Sequence, residues 1–163
     1  MTNTIQILSI EKTGKESSLQ KEYNNKSIKI IDGYFFSTNL DDQKFYKISK
    51  LISNEVSQTI LTKKNVNSVL SSFSNFNWVV EIKFLPGVTD NIATTVKEII
   101  NDNLKSSFKS FELGSTKIIL FKGRKEDITK ISKNEANPLI QTIKIYPFKK
   151  YLKNFKKNQF KIE

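Results

Sequence analysis

Apolar residues in the second half of the chain alternate between a two-residue period, typical of strands, and a helical period of three to four residues. The first strand is predicted at 79–84, a run rich in branched and aromatic side chains. Thr89 or Asp90 is the predicted N-cap of the helix that follows. The next predicted elements are a strand at 116–121, a helix at 126–134 and a strand at 139–146. The second half therefore has the order β-α-β-α-β.

The first half of the chain shows the same succession of periods less clearly. Asp32 and Gly33 interrupt one apolar run and predict a bulge or bend, and Asn39 is the predicted N-cap of the helix after that run. The predicted elements are strands at 5–10, 28–36 and 56–61 and helices at 15–23 and 41–53. The two halves are therefore expected to fold alike.

An internal repeat supports this organisation independently of the periods. Residues 47–60 align with 130–143 without a gap at an offset of 83, and eight of the fourteen aligned positions are identical. The shared residues are the tetrapeptide KISK, one asparagine (Asn54 and Asn137) and the tripeptide QTI. These matches indicate a tandem duplication.

The duplication divides the chain into two units. The first unit spans 1–61 and the second spans 78–146. Between them, 62–77 is rich in Ser and Asn without a steady period and is interpreted as a linker, while 147–163 is interpreted as a basic C-terminal tail or linker. Because each unit alone offers a thin core, the two are expected to pack on each other. The predicted fold class is α+β, with two tandem two-layer sandwiches.

The composition restricts the chemistry that this chain could perform. It contains no histidine and no cysteine, which excludes imidazole bases, thiolate nucleophiles, disulfides and the metal sites that need these ligands. Carboxylates, lysines and hydroxyls remain, but none of them stands out as catalytic, cofactor-binding or metal-ligating. Because no apolar run has membrane-spanning length and no secretory signal is visible, we expect a cytoplasmic protein without a membrane partner.

The net charge of +11 raises the question of a polyanionic partner. Seven lysines against one acid in the last 20 residues supply +6 of this charge. Arg124 is the single arginine, whereas specific recognition of bases and phosphates favours the bidentate guanidinium group. Nucleic acid is therefore not the expected partner, and a small basic nucleic-acid-binding module stays as the alternative interpretation.

The segment FLPGVTDN at 84–91 places a proline and a glycine between a predicted strand and a predicted helix. Pro86 would end the strand and Gly87 would permit a turn with positive φ, so an architectural junction is the preferred interpretation. The N–H groups of the helix N-terminus could instead hold an anion, but Asp90 would repel it.

Charged residues elsewhere also allow two interpretations. Arg124 follows a glycine in a predicted turn and could bind a partner carboxylate or phosphate, or simply be solvated. The acid pairs Asp41-Asp42 and Glu126-Asp127 open predicted helices, where acids stabilise the positive end of the dipole, so we interpret them as helix caps.

Two signatures occur in order in the second unit. They are WVVEIKFLPGVTDN at 78–91 and ANPLI at 136–140. Together they resemble the PurS-like region of phosphoribosylformylglycinamidine synthase (FGAM synthase), and the tandem is similar to the N-terminal region of long-chain synthetases that begin with two PurS-like units. The first unit matches only in its order of elements and in 32–60, because Thr13-Gly14-Lys15 stands where the Pro-Gly signature would be.

The resemblance implies a part of the enzyme that converts FGAR to FGAM in de novo purine biosynthesis. In this family a glutaminase releases ammonia from glutamine, a synthetase uses ATP and magnesium, and the PurS-like part joins the two. The resemblance thus implies a non-catalytic bridge that binds no cofactor, contacts the glutaminase and synthetase parts and can self-associate through its PurS-like units. The partner-contact candidates, from the two signatures and the lone arginine, are Pro86, Gly87, Thr89, Asp90, Arg124, Asn137 and Pro138.

Overall fold

Strands and helices alternate along the whole described chain. A computed structural model describes residues 5–11, 18–23, 27–37, 40–54, 56–104 and 111–161. The elements are β1 (Ile5–Glu11), α1 (Ser18–Glu22), β2 (Ile28–Phe36), α2 (Asp42–Ile52), β3 (Gln58–Ile60), α3 (Val66–Ser71), β4 (Trp78–Phe84), α4 (Asn91–Asn103), β5 (Leu113–Phe121), α5 (Lys125–Glu135), β6 (Gln141–Pro147) and α6 (Phe148–Phe160). The predicted segments Thr13-Gly14-Lys15 and Asn39 lie outside the described residues.

The six strands form one antiparallel sheet in the order β3-β1-β2-β5-β4-β6. The α+β class predicted from the sequence is confirmed. The first three strands and the last three have the same order within their halves, and the halves join edge to edge through β2 and β5. Asp32 opposes Lys117 at the centre of this ladder. The expected packing of two separate sandwiches on each other is therefore wrong, because strand pairing joins the halves.

The sheet carries helices on both faces. Because side chains alternate across a strand, Leu8, Ile31 and Ile118 point to one face, whereas Ile7 and Ile119 point to the other. The second face packs against α1, α2, α4 and α5, which are the helices of the repeated halves. The first face packs against α3 and α6. Both faces of the sheet are therefore buried.

Helices α3 and α6 occupy the segments that the sequence analysis interpreted as linker and tail. Val66 and Leu70 of α3 are buried against the sheet, as are Phe148 and Phe155 of α6. A short helix with few strong formers gains its stability from such packing and little from its own propensity. None of the helices in the described ranges is long and apolar enough to cross a membrane.

Gly33 lies in an uninterrupted ladder, so the predicted bulge or bend at Asp32 and Gly33 is wrong. A Cβ atom at Gly33 would lie 2.6 Å from Cδ2 of Leu8 and 2.9 Å from Cγ2 of Thr116. The absence of a side chain at Gly33 therefore lets the Leu8 and Thr116 side chains of the two neighbouring strands come close to the β2 backbone.

The repeat detected in the sequence recurs in the backbone. Helix α5 begins and ends 83 residues after α2. Asn54 accepts backbone N–H groups from Val56 through its side chain and from Gln58 through its carbonyl. The turn at 137–141 repeats these bonds, and a glutamine side chain accepts the asparagine N–H in both copies. The same turn thus leads into β3 and into β6.

Candidate functional site

The two signature segments of the second half lie side by side at one end of the sheet. Phe84, the last residue of β4, opposes Gln141, the first residue of β6. One residue further on, the N–H of Leu85 donates to the carbonyl of Ile140 at 2.9 Å. The loop after β4 and the turn before β6 therefore form one continuous surface, which we call the signature end.

The loop after β4 turns tightly through Pro86 and Gly87. Gly87 has a φ of +81°, and no atom lies within 4 Å of the position that a Cβ would take there. A glycine is required at this position because of the backbone conformation, and not because a side chain would lack space. The N–H of Val88 closes the turn by donating to the carbonyl of Leu85 at 3.1 Å. Pro86, Gly87 and Thr89 are all exposed.

Asp90 joins the start of α4 to β5. Its Oδ1 accepts the N–H of Ala93 at 2.9 Å, which identifies Asp90, and not Thr89, as the N-cap. Its Oδ2 accepts both the N–H (2.7 Å) and the hydroxyl (2.8 Å) of Ser115. Because both oxygens are engaged within the chain, the architectural interpretation of this junction fits the geometry best. Asp90 is the least available of the predicted contact residues.

Tyr34 lies beside this junction, opposite Ser115 in the β2–β5 ladder. Burial raises the pKa of its hydroxyl above 10.0, and the negative charges of Asp32 and Asp90 raise this pKa further. The phenol is therefore neutral at physiological pH and adds no charge to the signature end.

The turn before β6 presents an apolar tip. Asn137 holds its shape, because its side chain accepts the N–H of Leu139 at 3.0 Å and its carbonyl accepts the N–H of Gln141 at 2.8 Å. Asn137 and Pro138 are exposed, and Leu139 is 83% exposed. Val56, 83 positions earlier at the tip of the equivalent turn, is 87% exposed. Each half thus displays one apolar side chain on an identical turn.

Arg124 does not belong to the signature end. It follows β5 at the opposite end of the sheet, where the carbonyl of Gly123 accepts the indole N–H of Trp78 at 3.0 Å. Its Nε lies 3.1 Å from Oδ2 of Asp127. The hydrogen bond to Asp127, together with that carboxylate's charge, raises the pKa of Arg124, so the guanidinium is already engaged within the chain. The structure therefore unites six of the seven predicted contact residues.

The acid pairs lie where the sequence placed them, at helix starts. Asp41 is the N-cap of α2 and accepts the N–H of Lys44 at 2.7 Å. Glu126 and Asp127 occupy the first turn of α5. Both pairs therefore stabilise helix N-termini, as predicted. In the described part of the chain, no three acidic side chains lie close enough to share a metal ion.

A polar cluster beneath α6 was missed by the sequence analysis. Glu81 is buried in β4 and pairs with Lys83 at 3.1 Å, and Gln6 reaches the same carboxylate at 3.4 Å. The hydroxyl of Tyr151 is buried beside it, without a hydrogen-bond partner among the described residues. Burial, followed by the charge of Glu81, raises the pKa of Tyr151 far above 10.0. The aromatic residues at helical spacing in 148–160 were the available signal.

An open groove of about 270 Å³ lies between α2 and β3, in the first half. Phe45, Tyr46 and Ile60 supply its apolar walls, and Lys50 lies over the Tyr46 ring at 4.7 Å. It lies at the edge of the sheet farthest from β6, so it is separate from the signature end.

Comparison with known proteins gives this site no relative, since neither a protein-family model nor a curated protein matches the chain.

Proposed function

We propose that this chain is a non-catalytic PurS-like bridge of FGAM synthase. In this role it joins the glutaminase and synthetase parts and supports the transfer of ammonia between them. ATP, magnesium and glutamine are used by those partner parts, and this chain contributes surfaces and no reacting group.

One observation carries the proposal. The WVVEIKFLPGVTDN and ANPLI signatures, 45 residues apart from Asn91 to Ala136, meet at the signature end through the bond between Leu85 and Ile140. A resemblance based on two unrelated fragments would not require them to be neighbours. The edge-to-edge pairing of two β-α-β-α-β halves supports the tandem arrangement in the same way.

The architecture suits this role on physical grounds. Ammonia that escapes into water is protonated and lost as a nucleophile, so a path between two active sites needs rigid, closely docked walls. A six-stranded sheet with both faces buried offers such a rigid body. The exposed signature end, with its apolar tip at Leu139, offers a surface for docking.

The test is a reconstitution assay. Glutaminase and synthetase parts that lack this region are assayed for FGAM formation, with and without the 163-residue chain. If the chain is the bridge, it restores the glutamine-dependent rate and leaves the rate with added ammonia unchanged. No recovery of the glutamine-dependent rate, together with no complex on gel filtration, would reject the proposal.

Leu139→Glu provides a sharper version of this assay. The side chain is 83% exposed, so the substitution should not affect folding, but a charge at the docking surface should abolish restoration of the glutamine-dependent rate. Val56→Glu is the matched control, because Val56 occupies the same position of the same turn and lies outside the signature end. Equal behaviour of the two variants would exclude a specific role for the signature end.

A basic nucleic-acid-binding module is the second candidate, favoured by the outer face of α6. Lys149, Lys150, Lys153 and Lys157 are exposed on this helix. Its aromatic residues pack on the sheet, however, so the described surface of α6 offers no stacking platform for bases. Replacing the first three lysines with glutamine tests this candidate. It predicts binding of a single-stranded oligonucleotide that falls steeply with salt and disappears in the variant.

A further inference from the structure

The two edges of the sheet differ in how many of their outward backbone groups are hydrogen-bonded. At β3 the outer edge is largely closed by a side chain, because Asn65 donates to the carbonyl of Ile60 at 2.9 Å and accepts the N–H of Thr62 at 2.8 Å. The N–H of Gln58 is also engaged, by the carbonyl of Asn54 at 2.7 Å. This edge therefore resembles a strand that already has a neighbour.

The outer edge of β6 has no such closure. The bonds of Leu85 to Ile140 and of Phe148 to Asn77 fix the ladder with β4, so that even-numbered residues of β6 point their backbone groups inward. Ile143 and Ile145 consequently point theirs outward. Within the described ranges, no group bonds to the N–H or the carbonyl of either residue. Four backbone hydrogen-bonding groups, two on each residue, are therefore open.

The charged side chains of β6 and α6 have one sign. Lys144 is exposed at the centre of β6, and Lys149 and Lys150 are exposed in the first turn of α6, which begins directly after the strand. No acidic residue occurs anywhere in 141–161. An added strand would lie within reach of these lysines on one face and of Ile143 and Ile145, both half-buried, on the other face.

A second copy of the chain is a poor occupant for this edge. Each copy carries a net charge of +11, and pairing of two β6 strands would bring both lysine groups together. An extended segment with alternating acidic and apolar residues satisfies the open backbone groups, the lysines and the isoleucines at once.

We propose that the outer edge of β6 binds an extended acidic segment of a partner protein by strand addition. The backbone groups of Ile143 and Ile145 form the ladder, Lys144 pairs with the acidic face, and the two isoleucines contact the apolar face. The site goes beyond the bridging function, since it does not depend on which enzyme supplies the segment.

The experiment uses the full chain and the capped hexapeptide Glu-Val-Glu-Val-Glu-Val, with Lys-Val-Lys-Val-Lys-Val as the control peptide. Hydrogen exchange and amide chemical shifts are followed by NMR. The N–H groups of Ile143 and Ile145 should exchange fast in the free chain and should be protected by the glutamate peptide only. Absence of protection, or equal protection by the lysine peptide, would overturn the proposal.

Two substitutions test the geometry. Ile143→Pro removes an outward donor without removing a bond to β4, and it should weaken peptide binding about tenfold or more. Ile60→Pro is the matched control, because it lies 83 positions earlier and its N–H also points outward, at the closed edge. Lys144→Glu, at an exposed position, should weaken binding of the glutamate peptide to a similar extent and improve binding of the lysine peptide.

Other outcomes are equally decisive. Protection of both amides in the free chain that grows with protein concentration, with dimers in sedimentation, would assign the edge to a second copy and overturn the proposal. The peptide assay contains neither the glutaminase part nor the synthetase part, so failure to restore the glutamine-dependent rate leaves its outcome unaffected. The two proposals therefore fail separately.

Discussion

The two halves of the molecule keep the same internal turn but differ at their outer edges. Asn54 and Asn137 make the same hydrogen bonds, 83 residues apart. By contrast, Asn65 largely closes the edge of β3, whereas the edge of β6 remains open. The hydrogen bonds of the turn are thus common to the two halves, whereas the hydrogen bonding of the outer edges differs. The second half has both the signature end and the open strand.

Removal of core side chains should have the largest effect and tests whether the halves form one cooperative unit. Ile48 and Ile131 occupy equivalent positions of α2 and α5 and are 0% and 2% exposed. Each substitution to alanine should lower the free energy of unfolding by about 2–5 kcal/mol, because it leaves a cavity. Urea unfolding followed by both fluorescence and circular dichroism should give one transition. Two transitions in either variant would show that the halves unfold separately.

Removal of the helix caps should destabilise the two halves by different amounts. Asp90 accepts three hydrogen bonds that join α4 to β5, whereas the side-chain cap at Asp41 accepts the N–H of Lys44 alone. Asp90→Ala should therefore cost about 2–4 kcal/mol, and Asp41→Ala about 1 kcal/mol. Equal losses in urea unfolding would mean that the bonds to Ser115 contribute nothing.

Removal of the asparagine side chain should lower stability equally at the two repeated turns. Asn54→Ala and Asn137→Ala each remove a side-chain acceptor from one backbone N–H of an exposed turn. We expect a loss of about 1 kcal/mol in each case. A difference larger than the error of thermal unfolding would show that the turns differ in their contribution to stability despite identical bonds.

The polar cluster beneath α6 gives the smallest change at neutral pH and a distinct dependence on pH. Tyr151→Phe removes a buried hydroxyl without a partner in the described residues, so stability should rise by about 1 kcal/mol. The pKa of Tyr151 is raised above 10.0 in the folded state. The folded chain therefore keeps its full stability below pH 10 with respect to this group and loses stability as the pH increases further.

The loss of folding stability at alkaline pH can be measured. Above pH 10 the unfolded state releases the Tyr151 proton while the folded state retains it, which lowers stability by about 1.4 kcal/mol per pH unit. Urea unfolding between pH 9 and 11 should therefore show a shallower decline in Tyr151→Phe than in the unchanged chain. Parallel declines in the two proteins would contradict the assignment.

The sequence predicted most of the repeated elements because they follow clear periods. Helix α5 was expected at 126–134 and lies at Lys125–Glu135, and Asp90 was one of two expected caps. Helices α3 and α6 were missed for different reasons. The α3 segment has no steady period and folds only because Val66 and Leu70 meet the sheet. In α6 the aromatic residues do recur at helical spacing, but the lysines between them favoured an interpretation as a tail.

The signature end was predictable in its members but not in its geometry. The sequence identified the proline, glycine and asparagine of both signatures, and the ladder between β4 and β6 brought them together. Arg124 was grouped with them because it is the single arginine and follows a glycine in a predicted turn. Its place after β5, at the other end of the sheet, follows from strand direction, which no local pattern reveals.

The pairing of β2 with β5 has a consequence for synthesis of the protein. This ladder joins nine residue pairs, and its second strand ends only at Phe121. While the first half emerges from the ribosome, β2 has no neighbour on that side, and it carries apolar side chains on both faces. A chain that stops at Leu61 would keep this edge permanently open. Such a fragment should aggregate or pair with itself. In the whole chain, the second half protects the first half from this by pairing β5 with the open edge of β2.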